Sequence, residues 1–170
     1  CFGIKTGFIE AFIIDTLTKE RLCTEYMKSI EVLKPILRGR DISRYCYKWA
    51  GLWLVKIESG WTNKNRGTKN PEVFFKETYP AIYRHLKLMG EKQGKGKGLY
   101  NRDDQGDYWW ELRPCNYYDV FEKPRIHSTK ISFSPTFALV FDVAYAANTS
   151  YVIPVSQDIS GYYIVSLLNS

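Results

Sequence analysis

Lys34, Arg38, Arg40 and Arg44 stand around a single acid, Asp41, in the stretch LKPILRGRDISRY at residues 33–45. A guanidinium offers a planar fork of donors that fits a phosphate, and a carboxylate satisfies the same fork. The stretch is therefore either a phosphate-gripping turn or a salt-bridged corner joining two elements. The glycine-rich GEKQGKGKG at residues 90–98 invites a nucleotide-binding reading. Its spacing is one residue short of a phosphate loop, and Gly96 follows Lys95 where a magnesium-binding Ser or Thr is needed. The dinucleotide fingerprint fails too, because Gly94, Gly96 and Gly98 alternate and no strong strand precedes them. What remains is a loop carrying Lys92, Lys95 and Lys97, followed by Arg102. It is either a solvated loop or a segment that orders against a phosphate backbone.

Other chemistries lack their residues. Asp103, Asp104 and Asp107 resemble a magnesium-holding cluster, but a nuclease wants a second acid two positions before a Lys, and Glu111-Leu112-Arg113 supplies Arg. DDQGD is also ordinary turn composition. Neither His85 nor His127 sits beside a recognisable nucleophile. Cys1, Cys23, Cys46 and Cys115 are scattered without a C-x-x-C pair, which argues against zinc and for free thiols in a reducing compartment. No catalytic residue and no metal site is expected.

The elements that must position the cations read as follows. AFIID at residues 11–15 fits a buried strand, Thr18 is placed to cap a helix through Glu25, and Ser29 a second that ends before Pro35. LWLVKIE at residues 52–58 suits a strand, and the polar residues 61–70 a loop. Pro71 opens a helix whose apolar stripe runs from Val73 to Leu88, with a break at Pro80. YWWELR, RIHSTKISF, FALVFDV and SYVIPV are strand-like, and YYIVSLLN closes as a helix. The expectation is α+β: a single domain over residues 1–170 with antiparallel sheets, a strand-rich second half, and helices in the first half and at the C-terminus.

At 170 residues the chain suits one domain, and 45% hydrophobic residues with 16% aromatics are globular composition. The formal charge of +6 favours a polyanionic partner. No apolar run is long enough to cross a bilayer and no secretory signal is present, so a cytoplasmic protein without a membrane partner is expected. A chain that starts at Cys1 and stops within SLLNS is expected to be a fragment of a larger protein. The adjacent Trp109 and Trp110 would point to opposite faces of a strand, one filling the core and the other free to stack on a base, unless both faces are buried. Arg113, Lys123, Arg125 and Lys130 flank these aromatics. Such a mixture suits a nucleic-acid surface, because cations supply phosphate affinity while Arg and polar side chains read base edges.

The ordered segments GIKTGFIEAFIID, LKPILRGRDISRY, YPAIYRHL, WWELR, FEKPRI and YYIVSLLNS resemble the TaqI-like C-terminal specificity domain of adenine-specific DNA methyltransferases and restriction-modification enzymes. The resemblance implies a target-recognition domain that binds double-stranded DNA, with a catalytic methyltransferase domain of the same chain carrying S-adenosylmethionine. The fragment itself would hold no cofactor. That family's catalytic half carries an Asn-Pro-Pro-Tyr type motif and a glycine-rich cofactor loop. Neither occurs here; Asn70-Pro71-Glu72-Val73 is no substitute. Ile9 stands where related sequences commonly carry Asn. The expected DNA-binding residues are Lys5, Thr6, Arg38, Arg40, Arg44, Lys92, Lys95, Lys97, Arg102, Trp109, Trp110, Arg113, Lys123 and Arg125. At residues 38–41 Asp41 is expected to pair with one Arg and leave another cation free. A rival reading is a protein-interaction module in which Trp61 and Tyr100 bury against a partner.

Overall fold

The computed structural model describes residues 1–91, 98–156 and 159–170. It is α+β, with antiparallel sheet pairing, helices concentrated in the first half and one at the C-terminus, as expected. Its contacts gather into two compact units: a helical unit, Lys5–Lys34 with Trp53–Cys115, and a sheet unit, Cys1–Ile4 with Pro35–Leu52 and Asn116–Ser170.

In the helical unit the apolar run at residues 11–15 splits. Ile9–Phe12 forms a helical turn and only Ile13–Asp15 is strand. Ala11 and Phe12 are fully buried, and the Ala11 carbonyl lies 3.0 Å from the buried His85 Nε2, so tertiary contact rather than β-propensity sets the local backbone. Asp15, not Thr18, caps the helix Thr16–Glu25, its Oδ1 accepting the Thr18 N–H at 2.8 Å. The segment around Ser29 is a 3-10 helix, Met27–Val32. The two prolines behave as the sequence predicts. Pro71 is the first residue of the helix Pro71–Thr78, with the Asn70 side chain accepting from Glu72 and Val73 amides, and Pro80 starts a new helix, Pro80–Glu91.

Two other expectations in this unit fail for one shared reason. Residues 108–113 form turns rather than a strand, and Trp61–Asn65 is a short helix rather than loop. The fully buried Glu111 accepts the amides of Gly60 (3.0 Å), Thr62 (2.9 Å) and Asp107 (2.9 Å). One carboxylate thus caps the helix start, where Gly60 offers no side chain, and closes the turn that carries it. Gly106 is required beside it: a Cβ there would meet the Glu111 Cβ and the Leu112 carbonyl, each at 2.8 Å. Trp110 fills the core between the stacked rings of Phe75 (centroids 5.1 Å apart) and Tyr108 (4.8 Å).

In the sheet unit Arg125–Thr129 is the central strand of three, antiparallel to Phe137–Val140 and to Ser150–Pro154, with Ile126 paired to Leu139 on one side and Ile153 on the other. The predicted strand RIHSTKISF ends at Thr129, and the following residues are the loop that joins it to Phe137–Val140. Ile36 with Tyr145 and Leu37 with Ala146 pair in parallel, as does the isolated bridge of Ile4 with Ala147. Leu37, Ile42, Ala138, Val140 and Ala144 form a core with Tyr47 packed on it. The C-terminal helix Gly161–Leu168 is anchored by the buried Asn169, whose amide accepts from Phe137 N at 3.1 Å and donates to Phe137 O at 2.8 Å. A side chain here completes the pairing that a further strand would supply.

Candidate functional site

Within residues 38–41 the carboxylate of Asp41 is saturated by Arg38: the Arg38 backbone N–H (2.8 Å), Nε (3.1 Å) and an η nitrogen (2.8 Å) all donate to it. Asp41 is buried and Arg38 half-buried, so this pair braces a 3-10 turn, Gly39–Asp41. Arg40, between them, is exposed and has no ion-pair partner among the described residues. The acid therefore selects which arginine is structural and which is free.

Thr149 fixes what stands beside the free one. Its Oγ1 accepts the Gly39 N–H at 2.9 Å and its carbonyl accepts the Lys130 N–H at 2.9 Å. Gly39 is compulsory at this junction, since a Cβ would lie 2.5 Å from the Thr149 carbonyl oxygen. The result is an open cavity of about 400 Å³ in the sheet unit, lined by Arg40, Thr129, Lys130, Ile131, Asn148 and Thr149 with Gly39. Two cations, an amide side chain and two threonines line it, a donor-rich set suited to phosphate oxygens and base edges. Beneath it Thr129 pairs in register with Ser150, and the buried hydroxyl oxygens of both lack a hydrogen-bond partner among the described residues.

The other expected residues are dispersed. Arg102 is buried, donating to the carbonyls of Leu99 (3.0 Å), Asp104 (3.2 Å), Trp109 and Glu111, with its guanidinium over the Phe12 ring. Arg125 is fully buried and donates to the carbonyls of Lys123 (2.9 Å), Asp142 (2.9 Å) and Ala144, and to His127 Nε2. Loss of water lowers both guanidinium pKa values to about 10, and both remain cationic at neutral pH. Trp110 is buried and donates to Thr62 Oγ1 at 2.9 Å, and Thr6 is buried too. These four are not presented to a ligand: their polar atoms and rings are engaged in, or covered by, the fold. Trp109 is half-buried, edge-on to Tyr100. Arg44 donates to the Asn169 carbonyl and lies over the Tyr45 ring. Arg113 and Lys123 are exposed but pair with Asp104 (3.0 Å) and Asp119 (3.1 Å). Lys5 is exposed, in the helical unit. Lys92, Lys95 and Lys97 lie outside the described residues. Trp61 packs on Phe74, Phe75 and Tyr79 within its own unit.

The lining residues Ile131, Asn148 and Thr149 carry no motif in the sequence. The clue was the polar run around SFSPT, too hydroxyl-rich to continue the strand that RIHSTKISF begins.

Residues 34–170 match the family described as the TaqI-like C-terminal specificity domain. The chain belongs to that family. Among the solved structures similar to this specificity domain is that of the Type IIL restriction-modification enzyme MmeI in complex with DNA, at 15% identity and a TM-score of 0.60. The match covers 99% of this chain and 20% of MmeI, so the specificity domain spans a fifth of that enzyme's length. No curated protein matches the sequence. The cavity beside Arg40 falls wholly within the matched residues. Among the described residues no cluster of His, Cys, Asp and Glu is placed to hold a metal ion, and no helix is long and apolar enough to cross a membrane.

Proposed function

We propose that this chain is the DNA target-recognition domain of a restriction-modification enzyme, and that the turn at residues 38–41 presents Arg40, together with Lys130, to the DNA backbone. The observation that carries the reading is the open, donor-lined cavity that Thr149 builds around these two cations, inside a chain of the specificity-domain family. The resemblance in sequence extends the proposal to the parent protein: a site-specific adenine methyltransferase whose separate catalytic domain carries S-adenosylmethionine. This domain would then hold and read duplex flanking the target, while the parent extrudes the adenine at a cost of a few kcal/mol.

The test is salt dependence. If about five phosphates are neutralised, log K for a duplex falls against log salt with a slope near −4 to −5. Arg40→Ala with Lys130→Ala is expected to reduce the magnitude of that slope by about two. Binding that ignores ionic strength, or a slope unchanged in the double variant, defeats the reading.

One observation favours a protein-binding role for a different surface. Tyr162, Tyr163 and Leu167 on the C-terminal helix are all more than half exposed, and Phe141 packs against Tyr162 with centroids 5.8 Å apart. This aromatic face fits a protein neighbour, such as another domain of the parent, better than it fits phosphate.

A further inference from the structure

The loop at residues 130–136 holds its two apolar side chains out in water: Ile131 is 91% exposed, and Phe133 is as exposed as a free residue at 112%. Burying such side chains elsewhere would stabilise the chain by about 2 kcal/mol each, so their presentation calls for a cause. The loop is internally braced. Ser132 Oγ donates to the Ser134 carbonyl at 2.7 Å and lies 2.9 Å from Thr136 Oγ1, which in turn donates to the Ser134 carbonyl at 3.0 Å. Pro135 stiffens the descending limb. Both hydroxyls converge on the Ser134 carbonyl and leave the Phe133 ring at the loop's tip. Its base is the cationic cavity: Thr129 and Lys130 line both that cavity and the hollow beside Phe133, and Ile131 lines the cavity with Arg40.

A rigid apolar tip rooted between two cations is complementary to one kind of polyanion, that in which flat apolar faces lie between rows of phosphates. A protein partner would not need Arg40 and Lys130 at the root, and an anionic small molecule would not need the ring. We propose that residues 130–136 form a base-contacting wedge. Phe133 inserts at a base step and unstacks it, with Ile131 beside it, while Arg40 and Lys130 hold the flanking phosphates. This deepens, and rests on, the DNA-binding reading above. Insertion of an aromatic or aliphatic side chain at a base step exchanges stacking between bases for stacking on the protein, and works best where the step is already open.

The experiment titrates the full chain, by fluorescence anisotropy, with a mixed-sequence duplex and with the same duplex carrying a two-nucleotide bulge. The bulged duplex is expected to bind about tenfold tighter, because its stack is already opened. Phe133→Ala, at a side chain with no burial to lose, should retain the thermal transition and the salt slope and lose the preference for the bulge; Phe133→Trp should keep it. A salt-dependent chain with no bulge preference, or a preference that survives Phe133→Ala, overturns the wedge and leaves the DNA reading standing. A concentration-dependent dimer abolished by Phe133→Ala would assign the tip to a second copy and likewise overturn it. Failure of the chain to bind either duplex at low salt takes both proposals down together.

Discussion

Asp41 sorts otherwise similar arginines. By accepting three donors from Arg38 it turns that residue inward and leaves Arg40 exposed. Asp41→Ala is expected to lower stability by about 2–4 kcal/mol, between the values for surface and fully buried pairs, in urea unfolding. The same variant should weaken DNA binding by less than Arg40→Ala does when both are compared as folded protein. His127 offers a sharper test of burial. Enclosure, and the charge of Arg125 donating to its Nε2, lower its pKa to about 3, so the folded chain keeps it neutral while the unfolded chain protonates it near 6.5. The unfolded state then binds the extra proton as pH falls. The stabilisation present above 6.5 is lost progressively below it, at a slope approaching about 1.4 kcal/mol per pH unit, down to the folded value. Between pH 6.5 and 5, above the ordinary carboxylate range, unfolding free energy should decline with this slope, and His127→Gln should flatten it. Equal slopes in the two proteins would show that His127 is protonated in the fold.

At the scale of elements, sequence patterns were legible wherever the backbone rule is local. The stop at Thr78 and restart at Pro80 follow from the missing proline N–H, and Phe137–Val140 and Ser150–Pro154 each pair with Arg125–Thr129 as alternating strands. They failed where a distant side chain dictates the backbone. YWWELR has the composition of a strand, yet Glu111 is drawn to the amides of Gly60 and Thr62, some 50 residues earlier, and bends its own segment into a turn to reach them. The polar residues after Gly60 form a helix for the complementary reason: their orphan amides are capped from outside the local sequence. Glu111→Gln is expected to cost about 2–3 kcal/mol, since an amide nitrogen would replace one acceptor facing those N–H groups. Gly106→Ala should cost at least as much, because both atoms it would strike at 2.8 Å belong to that buried turn. Thermal unfolding measures both, and the lost protection of the Thr62 amide in hydrogen exchange would localise the damage to the helix start.

For the whole molecule, the charge of +6 raises the expectation of an anionic partner but does not say where the cations stand. A sequence counts a guanidinium as surface charge by default, and here two of them are interior. Arg102 and Arg125 each bind several backbone carbonyls of turns and strand ends at once, which a long side chain with five donors can do and Lys cannot. The free cation of the RGRD turn was foreseeable from the surplus of Arg over Asp. Its neighbours were not, because Thr149, whose contact with Gly39 spans 110 residues of chain, brings Lys130 to the same cavity. This division of labour predicts opposite responses to removal of a single charge. Arg102→Met or Arg125→Met should lower unfolding free energy by about 3–5 kcal/mol, since several desolvated carbonyls lose the donor the guanidinium supplied. Measured under conditions where the variants remain folded, their slope of log K against log salt should match the parent. Arg40→Ala should do the reverse, changing stability by no more than about 0.5 kcal/mol and reducing the magnitude of the slope by about one. If the interior arginines instead moved the slope and Arg40 moved only the unfolding midpoint, DNA would be meeting a different arrangement of this chain from the one described.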